Sequence, residues 1–113
     1  MTTDIAVVSY ARSPLGKAHK GELAQVRPDD LGAAVVKGLL ERTPQLKPDQ
    51  FQDIIVGCAM PEGAQGLNIA RNAVFIAEWP NEVPAETINR FCSSGLQAIV
   101  HGAQEIQCGL EEV

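Results

Sequence analysis

The chain has 113 residues, 45% of them hydrophobic and 20% charged, with a formal net charge of −5. These proportions fit one globular domain, and the acidic balance excludes the usual bare nucleic-acid binder, which is basic. Aromatic residues make up only 4%, so the core must rest on Val, Ile, Leu and Ala, as in a sheet layered between helices.

Ile5-Ala6-Val7-Val8 is a short apolar run with β-branched residues and predicts a first buried strand. Arg12-Ser13-Pro14-Leu15-Gly16 breaks it, and a polar loop follows to about Arg27. Within that loop Lys17, His19 and Lys20 form a small cationic cluster, read as a solvated surface rather than a phosphate site. Pro28-Asp29-Asp30 opens the first helix. Proline suits the first turn, and the acidic pair suits the positive end of the helix dipole. Leu31, Val35 and Leu39 recur at helical spacing, and Thr43-Pro44 ends the run.

Ile54 to Cys58 predicts a second strand, and Pro61 to Gly66 a loop rich in helix and strand breakers. A second helix is expected from about Asn68 to Trp79, stopped by Pro80. Val83 to Ile88 reads as a third strand, with Pro84 confined to its start or edge. A third helix is expected from about Ser94 to Cys108. Gly95, Gly102 and Gly109 recur two turns apart along one side of it, which predicts deep burial against a closely approaching neighbour. Gly109 closes the helix, and the residues up to Val113 read as the approach to a further strand. The alternation β-α-β-α-β-α predicts a parallel arrangement with crossover helices, forming part of a larger sheet.

Three cysteines, Cys58, Cys92 and Cys108, match no common zinc spacing, and an odd number argues against a closed disulfide framework. No metal site is expected. The Met1-Thr2-Thr3-Asp4 start lacks the basic-then-apolar pattern of a secretory signal, and no apolar run approaches the ~20 residues of a membrane helix. The expected location is the bacterial cytoplasm, with reduced thiols.

The chemistry concentrates in Glu86-Thr87-Ile88-Asn89-Arg90-Phe91-Cys92-Ser93-Ser94-Gly95-Leu96-Gln97-Ala98-Ile99. A strand ends, Cys92 follows in a tight turn, and a helix begins at once. The unpaired N–H groups of the helix's first turn and its dipole both favour an anion there, and the thiolate is the reactive form of cysteine. The arrangement parallels the strand-turn-helix elbow that presents the nucleophile of serine hydrolases, and the backbone N–H at such a turn can bind an oxyanion. On geometry alone, a reactive thiol and a structural one both remain open.

The segment Ile88 to Ala98 closely resembles the active-site cysteine signature of the thiolases, in the form found in degradative 3-ketoacyl-CoA thiolases, also called acetyl-CoA acyltransferases. Arg12 to Lys17 resembles the family's first loop, with Ser13 where Thr is commoner. Gly57-Cys58-Ala59 with Gln65-Gly66-Leu67-Asn68-Ile69-Ala70-Arg71 resembles its second strand and helix, and Val83 to Ile88 the strand leading to the nucleophile. The resemblance covers essentially the whole chain.

It implies a thiolase-like α/β fold, with residues 1–113 forming an incomplete N-terminal domain. That portion would be the first β-α-β-α-β-α part of a five-stranded mixed sheet layered between helices. It implies Cys92 as the nucleophile that carries an acyl group as a thioester, with its backbone N–H a candidate oxyanion donor. The activating histidine, the second catalytic cysteine and the coenzyme A loop region fall outside this sequence. Neither His19 nor His101 maps to that histidine, and Cys58 and Cys108 read as small apolar fillers. The coenzyme-binding residues are therefore unassigned.

The implied reaction is cleavage of a 3-ketoacyl-CoA by coenzyme A to acetyl-CoA and a shortened acyl-CoA, or the reverse Claisen condensation. No tightly bound cofactor is expected, coenzyme A and acyl-CoA being substrates. The implied partners are acyl-CoA molecules, a homodimer or homotetramer, and enzymes of fatty-acid β-oxidation. Asn89 and Arg90 are read as supports of the turn, and Thr87, Ile88, Asn89 and Arg90 as the subunit interface. Two alternatives stand beside this reading. One is a non-catalytic thiolase-like fragment acting as an interaction or complementing module. The other is a carrier-protein or CoA condensing enzyme of the same fold, against which the residues flanking Cys92 argue.

Overall fold

The computed structural model describes residues 4–113. Helix α1 spans Pro28–Arg42, strand β1 Ile55–Gly57, helix α2 Ile69–Ile76, strand β2 Glu86–Ile88 and helix α3 Ser94–Gln107. Short 3₁₀ turns at Pro48–Gln50, Gly63–Gln65 and Phe91–Ser93 join them. β1 and β2 are parallel, with Ile55 opposite Glu86, Val56 opposite Thr87 and Gly57 opposite Ile88. The α/β alternation and the parallel pairing are those the sequence predicts.

Local chemistry explains the boundaries. Pro28 sits in the first turn of α1, where its missing N–H costs nothing. Asp29 is buried beside it and takes two hydrogen bonds from the Arg27 guanidinium, at 3.0 and 2.8 Å. Asn68 caps α2, its side-chain oxygen accepting from the Arg71 N–H at 3.2 Å. α2 ends at Ile76, earlier than the expected Trp79. Glu78 adopts φ 63, Trp79 N–H returns to Val74 O at 3.2 Å and Glu78 N–H to Phe75 O at 3.0 Å. This is a Schellman close with glutamate in the place glycine usually takes. It turns Trp79 inward to lie 4.8 Å, ring centre to ring centre, from Phe51. α3 closes in the same way at Gly109, with φ 71.

The core lies between α1, α2 and the sheet. Ala33, Val74, Ala77, Trp79 and Val83 are buried there, with Val36, Leu40, Phe51, Ile54 and Ala85 packed around them. Small residues where α1 meets α2 let the helices approach; an added Cβ on Gly32 would lie 3.4 Å from the Ala73 methyl.

Two expectations are corrected. The run Ile5–Val8 is not a strand: the only sheet among the described residues has two strands, and Val7 and Val8 are 81% and 74% exposed. An apolar, β-branched run favours extended backbone, but a strand also needs a paired edge and covering layers. This arm is tied instead to α1, with Tyr10 O accepting from the Arg42 guanidinium at 2.7 Å. The described residues thus show an α-β-α-β-α order rather than β-α-β-α-β-α, with two strands where three were expected.

The second correction concerns α3. It is not deeply buried, Ser94 being its one buried residue, and Leu96 and Ile99 are 67% and 64% exposed. Gly95 and Gly109 face open space, and a Cβ on Gly102 would meet only the Ile55 side chain, at 3.9 Å. Leu96 and Val100 are exposed, Ile99 and Ile106 border an open groove beside β1 together with Ala98 and Gly102, and Ser94 makes the tight contact with the strand. The intimate contact involves a different glycine. A Cβ on Gly57 would overlap the Ser94 carbonyl and the Gly95 amide. A β-strand glycine lets another backbone come close, and here that backbone is the first turn of α3.

Candidate active site

β2 delivers the chain to the turn that carries Cys92. Its backbone is held on one side by β1, with Glu86 N–H donating to Ile54 O and Cys58 N–H donating to Ile88 O, both at 2.9 Å. On the other side it is tied to α2. The Thr87 hydroxyl accepts from the Ala70 N–H at 3.2 Å and donates to Asn68 Oδ1 at 2.7 Å, while the Asn68 amide donates to Ala85 O at 2.8 Å. The Arg71 guanidinium holds the approach to this strand, donating to the carbonyls of Val83 and Asn81. Its cation also lies 4.3 Å from the centre of the Phe75 ring.

After Ile88 the chain makes one 3₁₀ turn, Phe91–Ser93, and enters α3 directly. Cys92 lies in this turn and is exposed, as is Cys108, whereas Cys58 is buried. Phe91, immediately before the cysteine, has φ 47. A bulky residue in the left-handed region costs roughly 1–2 kcal/mol, so the surroundings must hold it there. The Phe91 N–H donates to Asn89 Oδ1 at 2.8 Å, and Phe91 O accepts from the Ser94 hydroxyl at 2.6 Å. The same hydroxyl oxygen accepts from the Arg90 N–H at 2.9 Å. Arg90 in turn reaches along α3 to donate to the Gln97 side chain. The turn's own backbone bonds start with Ser93 N–H to Arg90 O, at 3.0 Å, so the Cys92 N–H lies ahead of that ladder.

Of the other sequence-predicted residues, Asn89 and Arg90 are exposed at the turn, while Thr87 and Ile88 are half-buried in β2. His101 lies on α3 with Nδ1 3.6 Å from Glu86 Oε1, away from the nucleophile turn. Glu105, one turn further along α3, has its carboxyl held above its ordinary range, first by burial and then by the negative charges of Asp53, Glu86 and Glu111. His19, with φ 65, lies with Lys17 and Lys20 in an exposed loop. Cys58 Sγ sits 3.8 Å from the Gln65 side-chain oxygen, beneath the surface. Two open apolar grooves, of about 670 and 640 Å³, flank β1, and Cys92 lines neither. Among the described residues no cluster of His, Cys, Asp and Glu could hold a metal ion, and no helix is long and apolar enough to cross a membrane.

Sequence reasoning missed Ser94 and Gly57. Their signals were present: a serine at a helix start, where side-chain oxygens bond nearby backbone, and a lone glycine within a strand, which marks a close backbone approach.

An α/β unit that presents an exposed thiol between a parallel strand and a helix has the form of a cysteine-nucleophile elbow. Residues 5–113 match the family described as "Thiolase, N-terminal domain". The chain is 53% identical over 106 residues to a 3-ketoacyl-CoA thiolase of Bacillus subtilis, covering 94% of this chain and 27% of that protein. It is 44% identical over 110 residues to a 3-ketoacyl-CoA thiolase of Saccharophagus degradans, covering 97% and 28%. It is 40% identical over 112 residues to one of Vibrio parahaemolyticus, covering 99% and 29%. The chain therefore belongs to the thiolase family, aligned with its N-terminal domain. It spans under a third of the length of these relatives.

Proposed function

We propose that this chain supplies the nucleophile of a 3-ketoacyl-CoA thiolase and that Cys92 is that nucleophile. The carrying observation is the exposed Cys92 thiol, set at the junction of β2 and α3 within a chain whose relatives bear that name. In the reaction the Cys92 thiolate attacks the 3-keto carbon of a 3-ketoacyl-CoA. The bond between C2 and C3 breaks, its electrons pass to C2, and C2 takes up a proton as acetyl-CoA leaves. The shortened acyl group stays on Cys92 as a thioester until the thiol of free coenzyme A displaces it. Dividing one difficult step into two easier ones is the advantage of covalent catalysis. The Cys92 N–H, ahead of the turn's hydrogen-bond ladder, is the candidate oxyanion donor.

The reading carries further parts. Coenzyme A and acyl-CoA act as substrates, with no tightly bound cofactor. The protein acts in the bacterial cytoplasm beside enzymes of fatty-acid β-oxidation. The whole domain has a five-stranded mixed sheet. Thr87, Ile88, Asn89 and Arg90 form the contact in a homodimer or homotetramer, which is supported by the outer edge of β2, unpaired in a ladder among the described residues, and by the exposure of Asn89 and Arg90.

The test is cleavage of acetoacetyl-CoA by free coenzyme A, using the complete polypeptide that carries these residues, its size first set by intact mass. Cys92→Ala is expected to abolish turnover while the circular dichroism spectrum and melting curve stay those of the parent. A variant that keeps most of the parental rate overturns the nucleophile assignment.

A further inference from the structure

Phe91 is the strained residue on which Cys92 hangs; a side chain holds its N–H, and its C=O takes both the backbone N–H and the hydroxyl of Ser94. Asn89 Oδ1 takes its N–H at 2.8 Å. The Ser94 hydroxyl donates to its C=O at 2.6 Å and accepts the Arg90 N–H at 2.9 Å. Ser94 thus pins the residues on either side of the turn's entry with a single oxygen. It is 3% exposed, so water cannot readily replace it. Its own backbone is fixed from behind, because Gly57 of β1 lies against the Ser94 carbonyl and the Gly95 amide with no room for a Cβ. Strand β1, Ser94 and Phe91 form one unbroken line of contacts ending at the cysteine.

We propose that Ser94, assisted by Asn89, is a positioning residue for the thiol: its buried hydroxyl holds Phe91 in the left-handed conformation that directs Cys92 outward at the start of α3. Neither residue touches the reacting atoms. The inference rests on the reading of Cys92 as the nucleophile and adds what aims it. Loss of the hydroxyl releases the Arg90 N–H and leaves the Phe91 C=O only the Ser94 backbone N–H, so Phe91 relaxes toward ordinary φ and Cys92 moves with it. Misplacing a reacting group by about 1 Å can cost on the order of 100-fold in rate.

The experiment compares Ser94→Ala, Ser94→Thr, Asn89→Ala and the core variant Val74→Ala in the complete polypeptide, reading kcat, KM and melting temperature. Ser94→Ala is expected to lower kcat about 10- to 100-fold with KM within about threefold, since positioning acts on the chemical step. Ser94→Thr, which keeps the oxygen, is expected to stay within about fivefold of the parental kcat. Val74→Ala removes methyls that are fully buried in the core cluster with Ala33, Ala77, Trp79 and Val83. It is expected to lower the melting temperature with kcat unchanged, which separates positioning from stability. If Ser94→Ala does not fold, the exposed Asn89→Ala decides, with an expected kcat loss of about threefold or more.

Parental kcat in a folded Ser94→Ala, an equal kcat loss in Val74→Ala, or a threonine variant as impaired as alanine overturns the proposal. So does a parental kcat in Asn89→Ala. Failure of the underlying reading looks different: there Cys92→Ala itself keeps turnover. If Cys92→Ala is inactive and Ser94→Ala is not impaired, the positioning role alone falls.

Discussion

Gly57→Ala tests the contact on which the site is built. The added methyl would overlap backbone atoms, the Ser94 carbonyl and the Gly95 amide, rather than the flexible end of a side chain. Comfortable carbon contacts lie at about 3.5–4.0 Å, so α3's first turn or β1 must retreat by roughly 1 Å or more. Overpacking of this kind costs about 1–3 kcal/mol. Because the obstacle is backbone on a secondary-structure junction, the upper half of that range is expected. With about 4 °C lost per kcal/mol in a domain of this size, the melting temperature should fall by about 8–12 °C. The assay is thermal and urea unfolding followed by circular dichroism. The matched control is Gly38→Ala in the middle of α1, where a Cβ meets nothing within 4 Å. There the helix propensity of alanine should raise stability by about 0.5–1 kcal/mol. If Gly57→Ala melts within about 2 °C of the parent, the strand-to-helix contact is looser than described and the support assigned to Ser94 fails with it.

Two further outcomes concern charge. The Arg27 guanidinium, through its hydrogen bonds and its charge, holds the Asp29 carboxyl below its ordinary value of 3.8. The stabilisation is therefore present above that value and is lost as pH falls through the lower folded value. Asp29→Asn should lower the urea midpoint at pH 7, with the gap to the parent closing as pH falls from about 3.8 through the lower folded value; a gap that does not change with pH would exclude the ion pair as the cause. Glu105 has the opposite sign: burial, then Asp53, Glu86 and Glu111, hold it above 4.5, so its ionised form opposes folding at neutral pH. Glu105→Gln should raise the melting temperature at pH 7, with the gain fading as pH falls through the raised value and below 4.5; a lower melting temperature at pH 7 would show that Glu105 makes a favourable contact instead.

What could be read from the sequence was what neighbouring residues encode among themselves. The helical repeats of α1 and α3, the proline and acidic start of α1, the glycine close of α3 and the placing of Cys92 between strand and helix all depend on contacts within a few residues. The signature around Cys92 also carried the family. The tertiary structure decided matters that need distant residues. Ile5–Val8 has strand composition and no strand, because pairing requires an edge that the run cannot provide for itself. α2 stops early because Glu78 accepts a left-handed turn that buries Trp79 against Phe51, a contact across the fold that outweighs the preference for glycine. The glycines along α3 promised close packing, yet the close approach falls on Gly57, because which helix face meets a sheet depends on where β1 lies. Composition put a serine two residues after the cysteine. Only folding brought its hydroxyl between Arg90 and Phe91, and only there can one buried oxygen bond both.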